Sequence, residues 1–191
     1  QDRIAQYLGI LEDAAEHRLM INFHGSTIPR GWQRTYPHLM TYEAVHGSEY
    51  YEFPPIGPRP IDDVMYTFTR NVVGSMDYTP VTFEDALAVE GSTYAHELAL
   101  SVVFESAWLH FADRADATAD AGYRKVFGEY PYVKDFMKSV YATWDETKLL
   151  AGDPRTHAVL ARRRGEQWFI GGINGTTESM PVSIPLSFLA S

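Results

Sequence analysis

The 191-residue sequence contains no cysteine. This absence excludes disulfide bridges, thiolate metal ligands and a cysteine nucleophile. It does not identify the cellular compartment, because many periplasmic proteins also lack cysteine. Any metal ion held by this chain must therefore be bound by oxygen or imidazole groups.

Positive charge is scarce, since 16 Lys and Arg residues stand against 25 Asp and Glu residues and the formal net charge is −9. This balance argues against a nucleic-acid partner. No apolar run approaches the ~20 residues that a membrane-spanning helix requires. Aromatic residues make up 14% of the chain, and many lie outside periodic positions. This favours stacking against sugar rings, so we expect an oligosaccharide substrate.

The N-terminal part alternates between helix and strand. The apolar spacing over residues 4–15 predicts an amphipathic helix, and the apolar run over residues 19–23 predicts a buried parallel strand. Further strands are predicted over residues 39–42 and 64–73. Ser92 or Thr93 is expected to cap a helix that begins near residue 95.

The C-terminal part has a different pattern. Residues 98–104 fit either a helix or a strand, and helices are predicted over 108–112 and 132–143. Strands are then predicted over 157–162, 168–173 and 182–189, with a hairpin turn at the glycine-rich residues 171–175. This second texture predicts the start of an antiparallel sheet domain.

These elements predict an α/β fold made of the C-terminal half of a (β/α)8 TIM barrel, followed by the start of a C-terminal β-sandwich domain. A complete barrel takes ~250 residues, so residues 1–152 would supply about strands 5–8 and residues 153–191 would begin the sandwich. Gln1 already lies within a helical pattern, so we expect a segment of a longer protein.

Three glutamates, Glu43, Glu49 and Glu52, lie in an aromatic-rich stretch without helical periodicity. In barrels the chemistry lies in the loops after strands; Glu43 and Glu49 follow the second predicted strand, as His24 follows the first. A bend at Gly47 would let the two carboxylates converge. Convergent carboxylates suit a proton donor beside a metal ligand or base, as in glycoside hydrolysis. The alternative is that all three are solvated loop charges.

Structural explanations compete for the other candidates. His24 could be a buried histidine bonded to backbone, and Asp77 could cap a turn. His96 and Glu97 match the start of a zinc motif, but Leu100 occupies the position of its second histidine. We therefore predict no zinc site there, and a structural role for Glu97.

Four segments resemble, in order and spacing, the C-terminal half of the catalytic barrel of glycoside hydrolase family 97, a family of bacterial α-glucosidases and α-galactosidases. They are INFHGSTIPRGWQRTYPHLMTYEAVHGSEY, FTRNVVGSMDYTPVTF, HELALSVVFES and TWDETKLLAGDPRTHAVLARR. The resemblance covers about residues 14–172. It implies a calcium-dependent, exo-acting α-glycosidase that is periplasmic or secreted, with a β-sandwich before the barrel and a β domain after it.

The resemblance also implies roles for the acidic residues. Glu49 would be the general acid, and Glu43 would be a ligand of Ca2+. Inverting members of the family carry a glutamate directly after the histidine that corresponds to His24, whereas this sequence has Gly25. The sequence is thus similar to the retaining branch, whose nucleophile is an aspartate on a strand that would precede Gln1.

By their positions near strand ends, His24, Arg34 and Asp77 are predicted to line the sugar site. Trp32 is a candidate for stacking on a sugar ring, as is Tyr36, and packing within the chain is the alternative for both.

The leading prediction is a segment of a retaining α-galactosidase. The alternatives are an α-glucosidase, including an inverting one, and a non-catalytic calcium- or carbohydrate-binding fragment. An aldolase-like barrel would need a lysine at a strand end, and none is found there. We expect the isolated chain to be inactive and the exposed faces of a half barrel to favour homo-oligomers.

Overall fold

The computed structural model describes residues 2–53, 57–86, 91–113 and 122–190, and the chain begins with helix α1, Arg3–Glu16. The Asp2 carboxylate caps this helix by accepting the N–H of Ile4 at 3.0 Å. Strand β1, Ile21–Phe23, follows and pairs in parallel with β2, Leu39–Tyr42. The helix, the second strand and the parallel pairing confirm the sequence predictions for this part. The first strand is shorter than the predicted 19–23 and only half-buried, because Leu19 and Met20 are exposed before it.

The strand predicted over residues 64–73 is wrong, because two helices occupy this part of the chain. They are α2, Pro60–Phe68, and α3, Arg70–Val73. Pro60 suits the first position of a helix, and the Asp62 carboxylate accepts the N–H of Arg59 at 2.9 Å. The next parallel pairing comes later, as a single bridge between Met76 and Tyr42.

Helices α4, Phe83–Ala86, and α5, Tyr94–Val103, follow. The Thr93 hydroxyl caps α5 by accepting the N–H of His96 at 3.1 Å, as predicted. The helix predicted over residues 108–112 is wrong. Backbone N–H groups here bond to another loop instead, Ala107 to the Ser75 hydroxyl at 2.5 Å and Ala112 to the Pro80 carbonyl at 3.2 Å.

Two more helices, α6, Gly122–Glu129, and α7, Pro131–Ser139, precede an antiparallel sheet. The helix predicted over 132–143 therefore ends at Ser139. The sheet has the order β3, Glu146–Asp153, then β4, His157–Arg164, then β5, Gln167–Asn174. It begins at Glu146, so the division predicted after residue 152 would separate nearly all of β3 from its partner β4.

Two predictions for the C-terminal part are wrong. Gly171 and its neighbour lie inside β5 and not in a hairpin turn; a Cβ at Gly171 would lie 2.9 Å from the Val102 Cβ of α5, so glycine allows this close approach. Residues 182–189 form no strand and end in the 3-10 turn Ser187–Ala190. Pro181 and Pro185 each lack the N–H that a sheet ladder needs.

The sheet shares a hydrophobic core with the helical part. The buried residues of this core come from α2, α5, the Met76 segment, β4 and β5: Val64, Met76, Tyr78, Leu100, Val103, Phe104, Ala158, Leu160 and Ile173. The buried Arg162 guanidinium of β4 donates to the carbonyls of Val102 at 2.6 Å and Val103 at 2.8 Å. Arg162 thus provides donors for carbonyl groups at the C-terminal end of α5. Burial lowers the pKa of Arg162 to about 10.

Among the described residues, no helix combines the length and the apolar character needed to cross a membrane.

Candidate active site

The candidate site lies where β1, β2 and the Met76 segment end. His24 directly follows β1, Glu43 directly follows β2, and Asp77 directly follows Met76. Because these segments run parallel, their carboxyl ends meet at one edge. Residues that are far apart in the sequence therefore contribute side chains to a single site.

A buried carboxylate, Asp77, is the centre of the hydrogen-bond network. Its side chain is 1% exposed and accepts hydrogen bonds from His24 Nε2 at 2.8 Å and His110 Nδ1 at 3.0 Å. The Asn22 amide is its third donor. Since an ionised carboxylate only accepts, each imidazole presents an N–H to it. Asp77 therefore orients two histidines and does not simply cap a turn.

Sequence reasoning missed two of these partners. Asn22 interrupts the apolar strand β1, and a polar residue in a buried strand signals a partner elsewhere. His110 lies in the segment that was predicted to be a helix, so its approach to Asp77 had no sequence signal.

The structure brings Glu43 and Glu49 together, as predicted. His24 Nδ1 lies 3.6 Å from Glu43 Oε1 and 3.8 Å from Glu49 Oε2. One possible ligand atom from each of the three residues lies within 4.8 Å of the other two. The Glu43 side chain is 10% exposed and that of Glu49 is 59% exposed, so one carboxylate lies at the base of the site and the other at its mouth.

These negative groups act on His24. Burial opposes its charged form, but the hydrogen bond and charge of Asp77, followed by the charges of Glu43 and Glu49, raise the pKa of His24 above its ordinary value. The site therefore attracts positive charge, whether carried by a protonated imidazole or by a cation.

The bend between the two glutamates depends on Gly47. A Cβ at Gly47 would lie 2.7 Å from the Tyr78 carbonyl oxygen, so only glycine permits this approach. The 3-10 turn Ser48–Glu52 starts there, and the Ser48 N–H donates to the same Tyr78 carbonyl at 3.1 Å. The Ser48 hydroxyl bonds to Thr79. The turn that bears Glu49 is thus attached to the segment after Asp77.

The backbone around the site is strained. Ala44, directly after Glu43, has a φ of 36°, and Thr79 and Val81 have φ values of 55° and 69°. Non-glycine residues seldom adopt positive φ, and for the β-branched Val81 the cost is higher. Such strain persists only where the surroundings impose it, and it concentrates at functional sites.

A buried arginine, Arg70 of α3, imposes part of this geometry. Its guanidinium donates hydrogen bonds of 2.9 to 3.2 Å to five backbone carbonyls, those of Tyr42, Glu43, Ala44, Gly74 and Ser75. Burial lowers the pKa of Arg70 to about 10. Arg70 thus holds the backbone that carries Glu43, a role that the predicted strand over residues 64–73 concealed.

Other predicted sugar-site residues lie apart from this network. Trp32 is partly buried, with its ring 5.4 Å from that of Tyr7, so it contributes to packing. Arg34 is exposed in the same 3-10 turn, Trp32–Arg34, and the Tyr36 hydroxyl donates to Glu12 at 3.4 Å. Among the described residues, none of the three forms a hydrogen bond or ion pair with the His24 group. Their roles in sugar binding stay predictions.

A cavity of about 330 Å³ adjoins Glu49. Its walls come from the 3-10 turn Ser48–Glu52, from the segment after Tyr78 and from Ala112. The lining residues are Ser48, Glu49, Glu52, Thr79, Thr82 and Ala112. The cavity therefore opens beside the more exposed of the two carboxylates.

An α/β protein with clustered glutamates and a histidine at the carboxyl ends of parallel strands has the site type of a barrel glycosidase. Comparison with known families agrees. The family described as glycoside hydrolase 97 matches residues 1–45, and the one described as glycosyl-hydrolase 97 C-terminal, oligomerisation, matches residues 143–191. The chain belongs to glycoside hydrolase family 97.

Curated relatives support this assignment. The chain is 41% identical over 176 residues to a probable retaining α-galactosidase of Streptomyces bingchenggensis, with 90% of this chain and 25% of the relative covered. It is 31% identical over 189 residues to a retaining α-galactosidase of Bacteroides thetaiotaomicron, with 93% and 27% covered. The chain thus spans about a quarter of the length of these relatives.

Solved structures with the same fold include a family 97 enzyme from Pseudoalteromonas sp. strain K8 in complex with acarbose. The TM-score is 0.74 at 28% identity, with 88% of this chain and 26% of that chain covered. A β-arabinopyranosidase gives a TM-score of 0.70 at 33% identity, with 90% and 28% covered.

Proposed function

We propose that this chain carries the proton-donating part of the active site of a retaining, exo-acting α-galactosidase. The observation that carries the proposal is the convergence of Glu43 and Glu49 on His24 Nδ1, at 3.6 and 3.8 Å. The two curated relatives are both named as retaining α-galactosidases, which supports the same activity for the full-length parent protein.

Glu49 acts as the general acid. Its exposed carboxyl group lies at the mouth of the site, where it reaches the glycosidic oxygen of a bound substrate. In the first step it gives its proton to that oxygen while a nucleophile displaces the leaving group from the anomeric carbon. In the second step the Glu49 carboxylate takes a proton from the water that attacks the glycosyl-enzyme, and the free sugar is released.

The surroundings of Gly25 support the retaining mechanism. Its φ of 59° is left-handed, and its N–H donates to Glu43 Oε2 at 2.6 Å. Gly25 offers no carboxylate, so this position does not supply the base that inverting members of the family carry directly after the histidine. We propose an aspartate nucleophile on a barrel strand outside these 191 residues.

Asp77 holds His24 at the edge of the site where we propose that the sugar binds. Because Asp77 accepts the Nε2 hydrogen bond of His24, Nδ1 faces the space between the two glutamates. We propose that this imidazole and His110, the second histidine held by Asp77, orient hydroxyl groups of the terminal sugar.

The site fits a calcium ion in part. Glu43 and Glu49 offer the carboxylate oxygens that Ca2+ prefers, but the ion takes six to eight oxygens and the third group here is an imidazole. We propose that Glu43 holds Ca2+ together with oxygens from outside this chain. A bound ion would supply positive charge beside the sugar hydroxyls.

Chelation by EGTA should lower activity, and Ca2+ should restore it in the parent protein but not in Glu43→Gln. Full activity after chelation would refute this proposal.

The α/β part is proposed to be half of a (β/α)8 barrel. Its two parallel strands and the parallel bridge at Met76 follow the pattern of successive barrel strands. The family description for residues 143–191 includes oligomerisation, and we propose that the C-terminal sheet contributes to self-association of the parent protein.

A second candidate activity rests on the β-arabinopyranosidase structure, which is 33% identical to this chain. A β-L-arabinopyranoside has the ring configuration of an α-D-galactopyranoside but lacks its hydroxymethyl group. Comparing kcat/KM for the two 4-nitrophenyl glycosides, measured on the parent protein, decides between them.

The proposed mechanism is tested with the full-length parent protein and its Glu49→Gln variant. We expect proton NMR to show the α-anomer as first product, and Glu49→Gln to lower kcat/KM about 10²- to 10⁴-fold for a disaccharide substrate. The loss should be small for 2,4-dinitrophenyl α-galactoside, because its leaving group needs no proton. Glu166→Gln is the control, since Glu166 is an exposed glutamate in the turn between β4 and β5. A β-anomer as first product, or equal losses on both substrates, would refute the mechanism.

A further inference from the structure

Glu97 of α5 is a buried carboxylate for which the proposed mechanism has no use. It is 0% exposed and accepts two hydrogen bonds of 3.1 Å, from the Tyr51 hydroxyl to Oε1 and from the Thr82 N–H to Oε2. These two donors belong to separate loops, so a single carboxylate joins them.

Both loops border the cavity beside Glu49. Tyr51 lies in the 3-10 turn Ser48–Glu52, the turn that carries Glu49. Thr82 lines the cavity itself and directly follows Val81, whose φ is 69°. Glu97 therefore attaches the turn on one side of the cavity to the strained segment on the other.

The surroundings of Glu97 do not explain it as a structural ion pair. Among the described residues, no lysine or arginine forms an ion pair with it, and the charged groups that act on it are Asp63 and His96. His96 Nε2 bonds to Asp63 Oδ2 at 2.9 Å, so this imidazole already has a carboxylate partner. Burial, followed by the charge of Asp63, raises the pKa of Glu97 to about 7. Burial of a carboxyl group without a basic partner carries a desolvation cost.

We propose, on the basis of the proposed function, that Glu97 is a positioning residue for the general acid Glu49. Through Tyr51 and the Thr82 N–H it sets the distance between the Glu49 turn and the opposite wall of the cavity. The carboxyl group of Glu49 thereby meets the leaving-group oxygen. The cavity of about 330 Å³ receives the leaving group.

The test compares substrates that differ in their need for a proton. In the full-length parent protein, Glu97→Gln replaces one carboxylate oxygen by an N–H₂ group. Either the Thr82 N–H loses its acceptor or the Tyr51 hydroxyl must change from donor to acceptor, and both outcomes weaken the link between the two loops. A misplacement of about 1 Å can cost about 100-fold in rate. We expect kcat/KM to fall about 10- to 100-fold for an α-galactosyl disaccharide and less than about 3-fold for 2,4-dinitrophenyl α-galactoside.

Two further variants keep the test decisive. Tyr51→Phe removes only one hydroxyl group and should reproduce the same dependence on the leaving group, even if Glu97→Gln folds poorly. Phe169→Ala in β5 opens a cavity against Phe136, Tyr141 and Trp144 and should change both substrates alike. This matched control separates a positioning role from a loss of stability.

Equal losses on both substrates for Glu97→Gln and Tyr51→Phe, or no loss, would refute the positioning role. Glu49→Gln in the same assay distinguishes this failure from failure of the proposed function. If Glu49→Gln shows the dependence on the leaving group and the Glu97 and Tyr51 variants do not, only the inference about Glu97 fails. If Glu49→Gln shows none, the general acid itself is misassigned.

Discussion

Two buried arginines show how the two regions of this chain use one kind of side chain. Arg70 donates to carbonyls of irregular backbone around Glu43, whereas Arg162 donates to the carbonyl end of the regular helix α5. Burial lowers the pKa of each to about 10. Arg70 thus supports the site, and Arg162 attaches the sheet to α5. Both guanidinium groups donate to buried carbonyls, but in one region these belong to irregular backbone and in the other to a helix end.

The two regions also differ in backbone conformation and in the burial of their charged groups. The site edge has short parallel strands, positive φ at Ala44, Thr79 and Val81, and buried acidic groups. The sheet has three strands of eight residues, and its ion pairs are exposed, such as Arg164 with Asp145 at 2.8 Å. Strain and buried charge are thus concentrated where the chemistry is proposed, and the sheet provides support.

The largest effect expected in this comparison comes from replacing each of the two arginines with methionine in the parent protein. Arg70→Met leaves the carbonyls around Glu43 unpaired, and we expect kcat/KM to fall about 100-fold because the site geometry changes. Arg162→Met should leave kcat/KM within about 3-fold, but it should destabilise the contact between α5 and the sheet by about 2 kcal/mol.

Steady-state kinetics and hydrogen exchange of α5 and β4 measure the two outcomes. A large loss of activity in Arg162→Met, or none in Arg70→Met, would erase the distinction between the two regions.

A smaller effect is expected in the pH dependence of local stability. Burial raises the pKa of Glu97 to about 7, from an ordinary value of 4.5, so the folded state binds a proton more tightly than the unfolded state. Local stability should therefore fall as pH rises from about 4.5 to 7, by up to ~3 kcal/mol. Asp63 and His96, which face Glu97, also have raised pKa values and act in the same direction.

The sheet should show the opposite sign. Hydrogen bonds from Arg155 lower the pKa of the exposed Asp153 to about 2, so its contribution is present above about 3.8 and is lost as pH falls through 2. Hydrogen exchange of α5 and β3, corrected for intrinsic rates, measures both trends. Glu97→Gln should reduce the first trend to the part contributed by Asp63 and His96, and Asp153→Asn should flatten the second. A trend in α5 that is equally steep after Glu97→Gln would contradict the assignment.

The regular elements of this chain were readable from local patterns. The apolar spacing of α1 and the Thr93 cap of α5 each depend on residues within a few turns of one another. One error falls where distant contacts contribute to the conformation. The segment 108–112 is not helical, and its Ala112 N–H bonds to the Pro80 carbonyl of another loop at 3.2 Å, a contact that sequence periodicity does not report. The strand predicted over residues 64–73 failed for a local reason, because Pro60 and Asp62 start a helix before it.

The candidate site divides in the same way. Glu43, Glu49, His24 and Asp77 could be selected as acidic and imidazole residues after strands, and a bend at Gly47 was predicted. Arg70, His110 and Glu97 each have a partner at least 15 positions away, and these distant contacts had no local signal. Trp32 had the residue type expected of a sugar platform, but the structure packs it against Tyr7.

The sequence by itself determined which side chains are available for chemistry: no thiol, an acidic surplus, and glutamates beside a glycine that permits a bend. It also determined some of the regular elements, such as α1 and β2, because their patterns are local. Only the tertiary structure decided which polar side chains meet. The hydrogen bonds of His24 with Asp77 and of Tyr51 with Glu97 each join residues more than 40 positions apart. Packing sets these distances, and no pattern within a short stretch of chain contains them.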